Sequence, residues 1–100
     1  MKIHQLLSDA EKWTRHVPAR DANGNRVQPR DESAVRWDLL GAIARCYPPA
    51  VAHEVEMRLR HHLFARRNGK LKLGDCLSCW NDSTRRTFEE VQQLVSELDV

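Results

Sequence analysis

The stretch CLSCWNDSTRRTFEE, residues 76–90, combines two cysteines, a tryptophan, an Asn-Asp pair and the start of a helix. Thr87 and Glu90 have the spacing of a capping box, in which each side chain pairs with a backbone N–H at the first turn of a helix. Apolar residues then recur at helical spacing up to Leu98. The stretch therefore predicts a short helical turn followed by a longer helix.

The segment Trp80-Asn81-Asp82 precedes that longer helix. Asn and Asp side chains commonly accept backbone N–H groups in turns and helix caps, so we predict that Asn81 or Asp82 does so here. Trp80 is expected to be buried against the second helix, so that the three residues form a structural clasp. A catalytic interpretation would pair Asp82 with a histidine base or with Cys79 as nucleophile. The spacing does not require this, and no catalytic residue is assigned.

Upstream of this stretch, residues 2–13 carry an apolar stripe at helical spacing, which predicts a helix. Ser8 and Asp9 are cap-forming residues inside it, so the helix can instead be two short pieces. Asn-Gly at 23–24 is a strong tight-turn dipeptide, and we expect a small hairpin or an irregular loop there.

A second helix is predicted over residues 34–47, with Ser33 as its cap and Trp37 on one of its apolar faces. Gly41 lies inside it, where glycine costs about 1 kcal/mol relative to alanine. That cost indicates the close approach of a neighbouring helix.

A third helix is predicted to begin at Pro49, because proline is tolerated at the first helical position. Asn-Gly at 68–69 is a fitting helix stop. Residues 69–75 alternate between apolar and polar side chains, as a short strand does.

Length and composition set the scale of the fold. The chain has 100 residues, of which 41% are hydrophobic, and this is enough for one modest core. Together with the periodicity, these values predict a mainly α protein. We expect a compact bundle of four to five helices with a small hairpin or short extended segments, forming a single helical domain over residues 1–100.

The sequence also indicates a compartment and a redox state. The first residues become polar too early for a signal peptide, and no run approaches the roughly 18 apolar residues of a membrane span. Three cysteines without a secretion signal are typical of reduced thiols, which predicts a cytoplasmic protein that does not contact a membrane. Cys76 and Cys79 form half of a zinc motif or a redox pair. No second pair completes the four ligands of a structural zinc, and the βαβ context of a thioredoxin-type pair is absent. We therefore expect that the protein binds no metal and no cofactor. The alternative is a metal site at Cys76 and Cys79.

Basic residues are concentrated on both sides of residues 73–84. A cationic surface of this kind could bind phosphates or an acidic protein face, and a solvated helix surface is the simpler explanation. The predicted binding patch consists of Arg58, Arg66, Arg67, Lys70, Lys72, Arg85 and Arg86.

Two stretches, DANGNRVQPRDESAVRWDLLGAI and CWNDSTRRTFEEVQQLV, together resemble a family of small bacterial and phage proteins classed as a domain of unknown function. One departure is Asp38, where the family often has a cysteine. The resemblance implies mostly helical structure and a phage or prophage origin, and it implies no known reaction. The matching residues are Asp21, Gly24, Ala34, Val35, Trp37, Leu40, Gly41, Ala42, Trp80, Asn81, Asp82, Thr87, Glu90 and Val91.

These observations favour a small intracellular binding or regulatory protein of phage or prophage type. It would act through contacts with an unidentified protein partner, and a homodimer is an alternative assembly. The alternative functions are a nucleic-acid-binding accessory protein that uses the basic patch, and a small hydrolase or metal-bound module. No enzyme activity is assigned.

Overall fold

The computed structural model describes residues 1–65 and 69–100. Five helices and one two-stranded antiparallel sheet form within these residues, which confirms the mainly α class with short extended segments. A 3-10 turn, Ala10–Lys12, follows the first helix. The elements are α1 (Ile3–Leu6), β1 (Ala19–Arg20), β2 (Arg36–Trp37), α2 (Leu39–Cys46), α3 (Pro49–Phe64), α4 (Leu77–Asp82) and α5 (Phe88–Glu97).

The apolar stripe over residues 2–13 forms two short helical pieces, which is the second of the two arrangements predicted for it. The backbone leaves the α region at Leu7, and the Asp9 side chain then accepts the Glu11 N–H and starts the 3-10 turn. Ile3 and Leu7 are fully buried and lie four residues apart, so one face of this short segment packs inward.

The two strands are joined by a long loop and not by a tight hairpin. β1 pairs with β2 so that Ala19 lies opposite Trp37. The predicted turn at 23–24 does exist, with Gly24 at φ +85° and its N–H donating to the Asp21 carbonyl. It closes a small loop inside the connection, where positive φ favours glycine.

The predicted cap of the second helix is wrong. Ser33 donates its N–H and its hydroxyl to the Asp31 carboxylate in a local turn, and Trp37 belongs to β2. Asp38 caps α2 instead, with its Oδ1 accepting the Gly41 N–H at 2.6 Å. The apolar periodicity continues upstream of the true helix, but pairing with β1 gives those residues an extended backbone.

The close approach predicted at Gly41 does occur, but the backbone that approaches belongs to the loop before β1 and not to a neighbouring helix. An ideal Cβ at this position would lie 1.7 Å from the carbonyl oxygen of Pro18. The same carbonyl accepts the Asp38 N–H at 3.2 Å. The segment before β1 therefore lies directly against the first turn of α2.

α3 begins with Pro49 at its first position, as predicted, and ends at Phe64. The predicted stop at 68–69 falls partly outside the described residues, while Gly69 has a positive φ of +70°. The predicted strand over 69–75 is wrong, since these residues form coil and a turn in which Asp75 accepts the Lys72 N–H at 2.7 Å. No described strand lies beside them to complete a ladder.

One apolar cluster lies between the helices. Its fully buried side chains come from α1, α2, α3, α4, α5 and the segments that flank them. They include Ile3, Leu7, Leu39, Leu59, Leu77, Val91, Val95 and Val100. Within the described residues, no helix combines the length and the apolar character needed to cross a membrane.

Candidate functional site

Asn81, near the end of α4, is fully buried and hydrogen-bonded on both sides of its amide. Its Oδ1 accepts the indole N–H of Trp13 at 2.8 Å and the backbone N–H of Leu39 at 3.1 Å. Its Nδ2 donates to the Thr14 carbonyl at 3.2 Å and to Asp82 Oδ1 at 2.9 Å. One side chain thus holds together α4, the start of α2 and the segment after the 3-10 turn. We call this set of contacts the Asn81 hub.

Asp82 extends the hub to His16. The Asp82 Oδ1 accepts the His16 backbone N–H at 2.8 Å, and its Oδ2 lies 3.8 Å from the His16 Nδ1. His16 has a positive φ of 75°, which is uncommon for a residue with a side chain and costs of the order of 1 kcal/mol or more. The Asp82 hydrogen bond holds the backbone in this conformation. The carboxylate therefore contacts a histidine, and its hydrogen bonds are used to fix the chain.

Asp38 is a buried carboxyl group beside the hub. Burial raises the pKa of Asp38 to about 6, the Gly41 N–H opposes the rise, and the nearby Asp82 charge adds to it. A buried carboxylate that is not paired with a cation is costly, so the neutral form is favoured more than in water. The pKa of Asp38 therefore lies closer to neutrality than that of an ordinary aspartate.

Trp80 lies on the other side of α4 and is half-buried. The Arg86 guanidinium stacks 3.9 Å above its ring, and Arg86 Nε donates to the Trp80 carbonyl at 2.9 Å. The ring lines a cavity of about 260 Å³ between α3, α4 and α5, together with Leu63 and Leu94. The predicted burial of Trp80 is only partial, since the ring lies half-buried under Arg86 and beside residues of α3 and α5.

The other two tryptophans also carry guanidinium groups. Arg15 lies 4.5 Å from the Trp13 ring centroid, and Arg45 lies 5.6 Å from that of Trp37. Such cation–π contacts contribute about 0.5–1 kcal/mol each when exposed and more when desolvated. Three arginine side chains of this basic protein thus lie over tryptophan rings.

The capping box at the start of α5 is present. Thr87 Oγ1 accepts the Glu90 N–H at 3.2 Å, and Glu90 Oε1 accepts the Thr87 N–H at 3.0 Å. Hydrogen bonding to the Thr87 N–H is the main cause that lowers the pKa of Glu90, and Arg86 adds to it through an ion pair at 2.8 Å. These contacts are local and exposed to solvent.

The predicted basic patch is divided between internal contacts and solvent. Arg58 donates to the Leu98 carbonyl at 3.0 Å, and Arg86 is held by Trp80 and Glu90. Arg66 and Arg67 lie outside the described residues. Three residues of the patch are exposed to solvent, namely Lys70, Lys72 and Arg85. Lys70 also interacts with another group of the protein.

Cys76 and Cys79 lie at the start of α4. The Cys76 sulfur caps the helix by accepting the Cys79 N–H at 3.2 Å. The neighbouring Cys76 side chain, through hydrogen bonding and then through electrostatic repulsion, raises the pKa of Cys79. Among the described residues, no group of three or more His, Cys, Asp or Glu side chains is placed to hold a metal ion.

An open groove lies beside β2. Its floor is mainly apolar, with Leu6, Ala34 and Trp37, and the exposed side chains of Met1 and Val35 border it. The cavity measures about 240 Å³.

A second cavity of about 300 Å³ shares Val35 and Lys12 with the first. It is lined in addition by Asp9, Glu11 and Arg36, so this part is charged. The two cavities are neighbours, and we call them together the β2 groove.

Sequence reasoning located Asn81 and Asp82 and missed their partners Trp13, Thr14 and His16. No local pattern in the sequence links residues that lie more than sixty positions apart. Asp38 could have been found, because Asp is as good an N-cap residue as Ser and stands directly before the apolar pair at 39–40.

Comparison with known proteins gives a family and no named function. No curated protein and no solved structure matches the chain. The model of a family of unknown function, DUF6197, matches residues 1–98. This agrees with the predicted membership of an uncharacterised family. Since the match covers nearly all of the sequence, the chain belongs to the DUF6197 family.

Proposed function

We propose that this protein is a small binding protein that acts through protein contacts, and that the β2 groove is its docking surface. The observation that carries the proposal is the exposure of apolar side chains beside an open apolar groove. Met1 is 78% exposed and Val35 is 42% exposed, and both border a floor of buried apolar residues. Exposed apolar surface next to a concave floor is typical of interaction sites.

The groove fits a protein segment that presents one or two apolar side chains. Its apolar end accommodates such a side chain against Leu6 and Trp37, and its charged end offers Glu11 and Lys12 to polar groups that follow in the partner. The Val35 N–H is already used by the Arg20 carbonyl at 2.9 Å, so recognition would depend on side chains and not on strand addition.

A cytoplasmic location and a phage or prophage origin complete the proposal. They rest on the sequence resemblance and on the odd number of cysteines, and identification of the encoding genome would test the origin directly.

The test compares Val35→Glu with Val51→Glu. Val51 lies on α3, away from the groove, and is 40% exposed, so the two changes place the same charge at equally exposed valines. Both variants should keep the helical circular dichroism of the parent. Affinity capture from cells of the native host should then lose the partner with Val35→Glu and retain it with Val51→Glu. A partner that both variants retain would refute docking at the groove.

A second copy of the chain is the alternative occupant, and sedimentation distinguishes it. If the groove forms a homodimer, Val35→Glu should convert a dimer to a monomer without any other protein present. If the groove binds a different protein, the purified chain should sediment as a monomer in both forms.

Nucleic-acid binding by the basic patch has weaker support. Arg58 and Arg86 donate to carbonyl groups within the protein, which reduces their availability to phosphates. Lys72 and Arg85 are exposed and are the residues to test. Reversal of both to Glu should flatten the salt dependence of any binding to duplex DNA, by about 0.9 for each phosphate that the protein no longer neutralises.

A further inference from the structure

The two cysteines at the start of α4 are not explained by docking at the β2 groove. They are separated by two residues, and Cys79 is exposed while Cys76 is half-buried. A helix can begin with any good cap residue, and serine would cap it at least as well as cysteine. The presence of two cysteines, one of which accepts a hydrogen bond from the backbone of the other, is the feature that needs an explanation.

The contacts give the two sulfurs different positions in the pair. The Cys79 backbone N–H donates to the Cys76 sulfur at 3.2 Å. Cys76 is therefore the sulfur that accepts a backbone hydrogen bond. Because residues three positions apart at the start of a helix lie on one face, the two side chains are neighbours.

Cys46 provides an internal comparison. It lies at the end of α2, is half-buried, and has a pKa raised mainly by burial. Reactive cysteines are partly exposed thiols with a nearby sulfur or cation, whereas buried single cysteines are inert. Cys46 is expected to behave as the second kind.

We propose that Cys76 and Cys79 are a thiol–disulfide exchange site that reacts with low-molecular-weight disulfides. The Cys76 thiolate attacks one sulfur of the small disulfide, forming a mixed disulfide and releasing the first thiol. The Cys79 thiol then gives its proton to solvent and attacks the Cys76 sulfur, which releases the second thiol. The pair loses two electrons and two protons and becomes an internal disulfide, and the small disulfide is reduced to two thiols.

The site would report on the thiol balance around the protein. Thiolate attack on a disulfide is reversible, so the state of the pair follows the ratio of small disulfide to small thiol. Asn81 and Asp82 lie on the same short helix, less than two helical turns from Cys76.

The experiment equilibrates the purified chain with buffers of reduced and oxidised glutathione, then alkylates the remaining thiols for mass spectrometry. Across the series, the parent should lose two alkylatable thiols together, at Cys76 and Cys79, while Cys46 remains alkylated. Cys46→Ser is the matched control and should behave as the parent does. The absence of an internal disulfide at every ratio would overturn the proposal.

Single substitutions test the order of attack. Cys79→Ser should accumulate a glutathione adduct on Cys76, since the resolving thiol is missing. Cys76→Ser keeps a good helix cap and should stay unmodified at Cys79 over the same period. An adduct on Cys79 of the Cys76→Ser variant, with none on Cys76 of the other, would refute the assigned order. Circular dichroism of each variant verifies that the fold is kept.

Discussion

The Asn81 hub and the capping box of α5 are both polar anchors at helix ends, and they differ in burial and in the origin of their partners. Asn81 is fully buried, and its partners include Trp13 and Leu39, which are distant in sequence. Thr87 and Glu90 are exposed and partner each other within one helical turn. When a partner is removed, an exposed group turns to water, whereas a buried group cannot.

The comparison indicates where the stability of a small domain is concentrated. The hub connects three segments, so its loss should affect the unfolding of the whole chain. The capping box stabilises the first turn of one helix, and its loss should destabilise mainly that turn. Substitutions at the two regions can confirm or contradict this distinction.

The largest effect is expected from Asn81→Ala. The substitution leaves the Trp13 indole N–H and the Leu39 N–H without an acceptor in a buried site. Each buried unsatisfied donor costs about 1–3 kcal/mol, so we expect a loss of about 4 kcal/mol in the free energy of unfolding. Urea denaturation followed by circular dichroism measures it.

Asn23→Ala is the control for this prediction. Asn23 is exposed in the loop after β1, and the hydrogen bond it makes to Asp21 uses its backbone N–H. Its substitution should change the free energy of unfolding by less than about 0.5 kcal/mol. If Asn81→Ala and Asn23→Ala lowered the free energy of unfolding equally, the hub would contribute no more to stability than an exposed loop residue does.

The next effect is expected from Gly41→Ala. The new Cβ would overlap the Pro18 carbonyl oxygen, which lies 1.7 Å from its ideal position. The backbone before β1 must move, and overpacking of this kind costs up to about 3 kcal/mol. Gly74→Ala is the matched control, because a Cβ there meets no atom within 4 Å. Thermal unfolding that ranks Gly74→Ala as the more damaging change would contradict the close approach.

A smaller effect, opposite in sign, is expected from Asp38→Asn. The pKa of Asp38 is raised from 3.8 to about 6, so its ionisation disfavours the folded state at neutral pH. The stabilisation from its protonated form is complete below about pH 3.8 and is lost as the pH rises through about 6. Asparagine keeps an oxygen that can accept the Gly41 N–H and removes the charge. We expect a gain of about 2 kcal/mol at pH 8, allowing for the cost of burying the amide.

The pH dependence distinguishes this cause from a general improvement in packing. The difference in the free energy of unfolding between variant and parent should be largest above pH 7 and should shrink toward pH 4. Carboxyl groups with lowered pKa values, such as Asp31 and Asp99, act in the opposite direction in both proteins and cancel in the difference. A gain that is constant with pH would rule out the titration of Asp38 as its source.

Local rules predicted the elements whose determinants lie within a few residues. The capping box at Thr87, Pro49 at the start of α3 and the turn at Gly24 are of this kind. The hub was not predictable, because its bonds join α4 to segments more than forty residues away. The start of α2 was misplaced for the same reason, since pairing of Trp37 with Ala19 overrides the helical periodicity. The strand expected over 69–75 had the right alternation and lacks a neighbour to pair with among the described residues.

The smallest loss is expected from Thr87→Ala. The hydroxyl that accepts the Glu90 N–H disappears, but the freed N–H lies at the exposed start of α5 and can bind water. Loss of such a cap typically costs about 1 kcal/mol, which is about a quarter of the loss expected at Asn81. Thr87→Ser retains the acceptor and should stay close to the parent in urea denaturation. Hydrogen exchange sharpens the test, because Thr87→Ala should speed exchange at the first turn of α5 and leave Leu39 protected. If Thr87→Ala instead lowered protection at Leu39 as much as Asn81→Ala does, the exposed local anchor and the buried long-range anchor would be parts of one cooperative unit, and burial would not be what separates them.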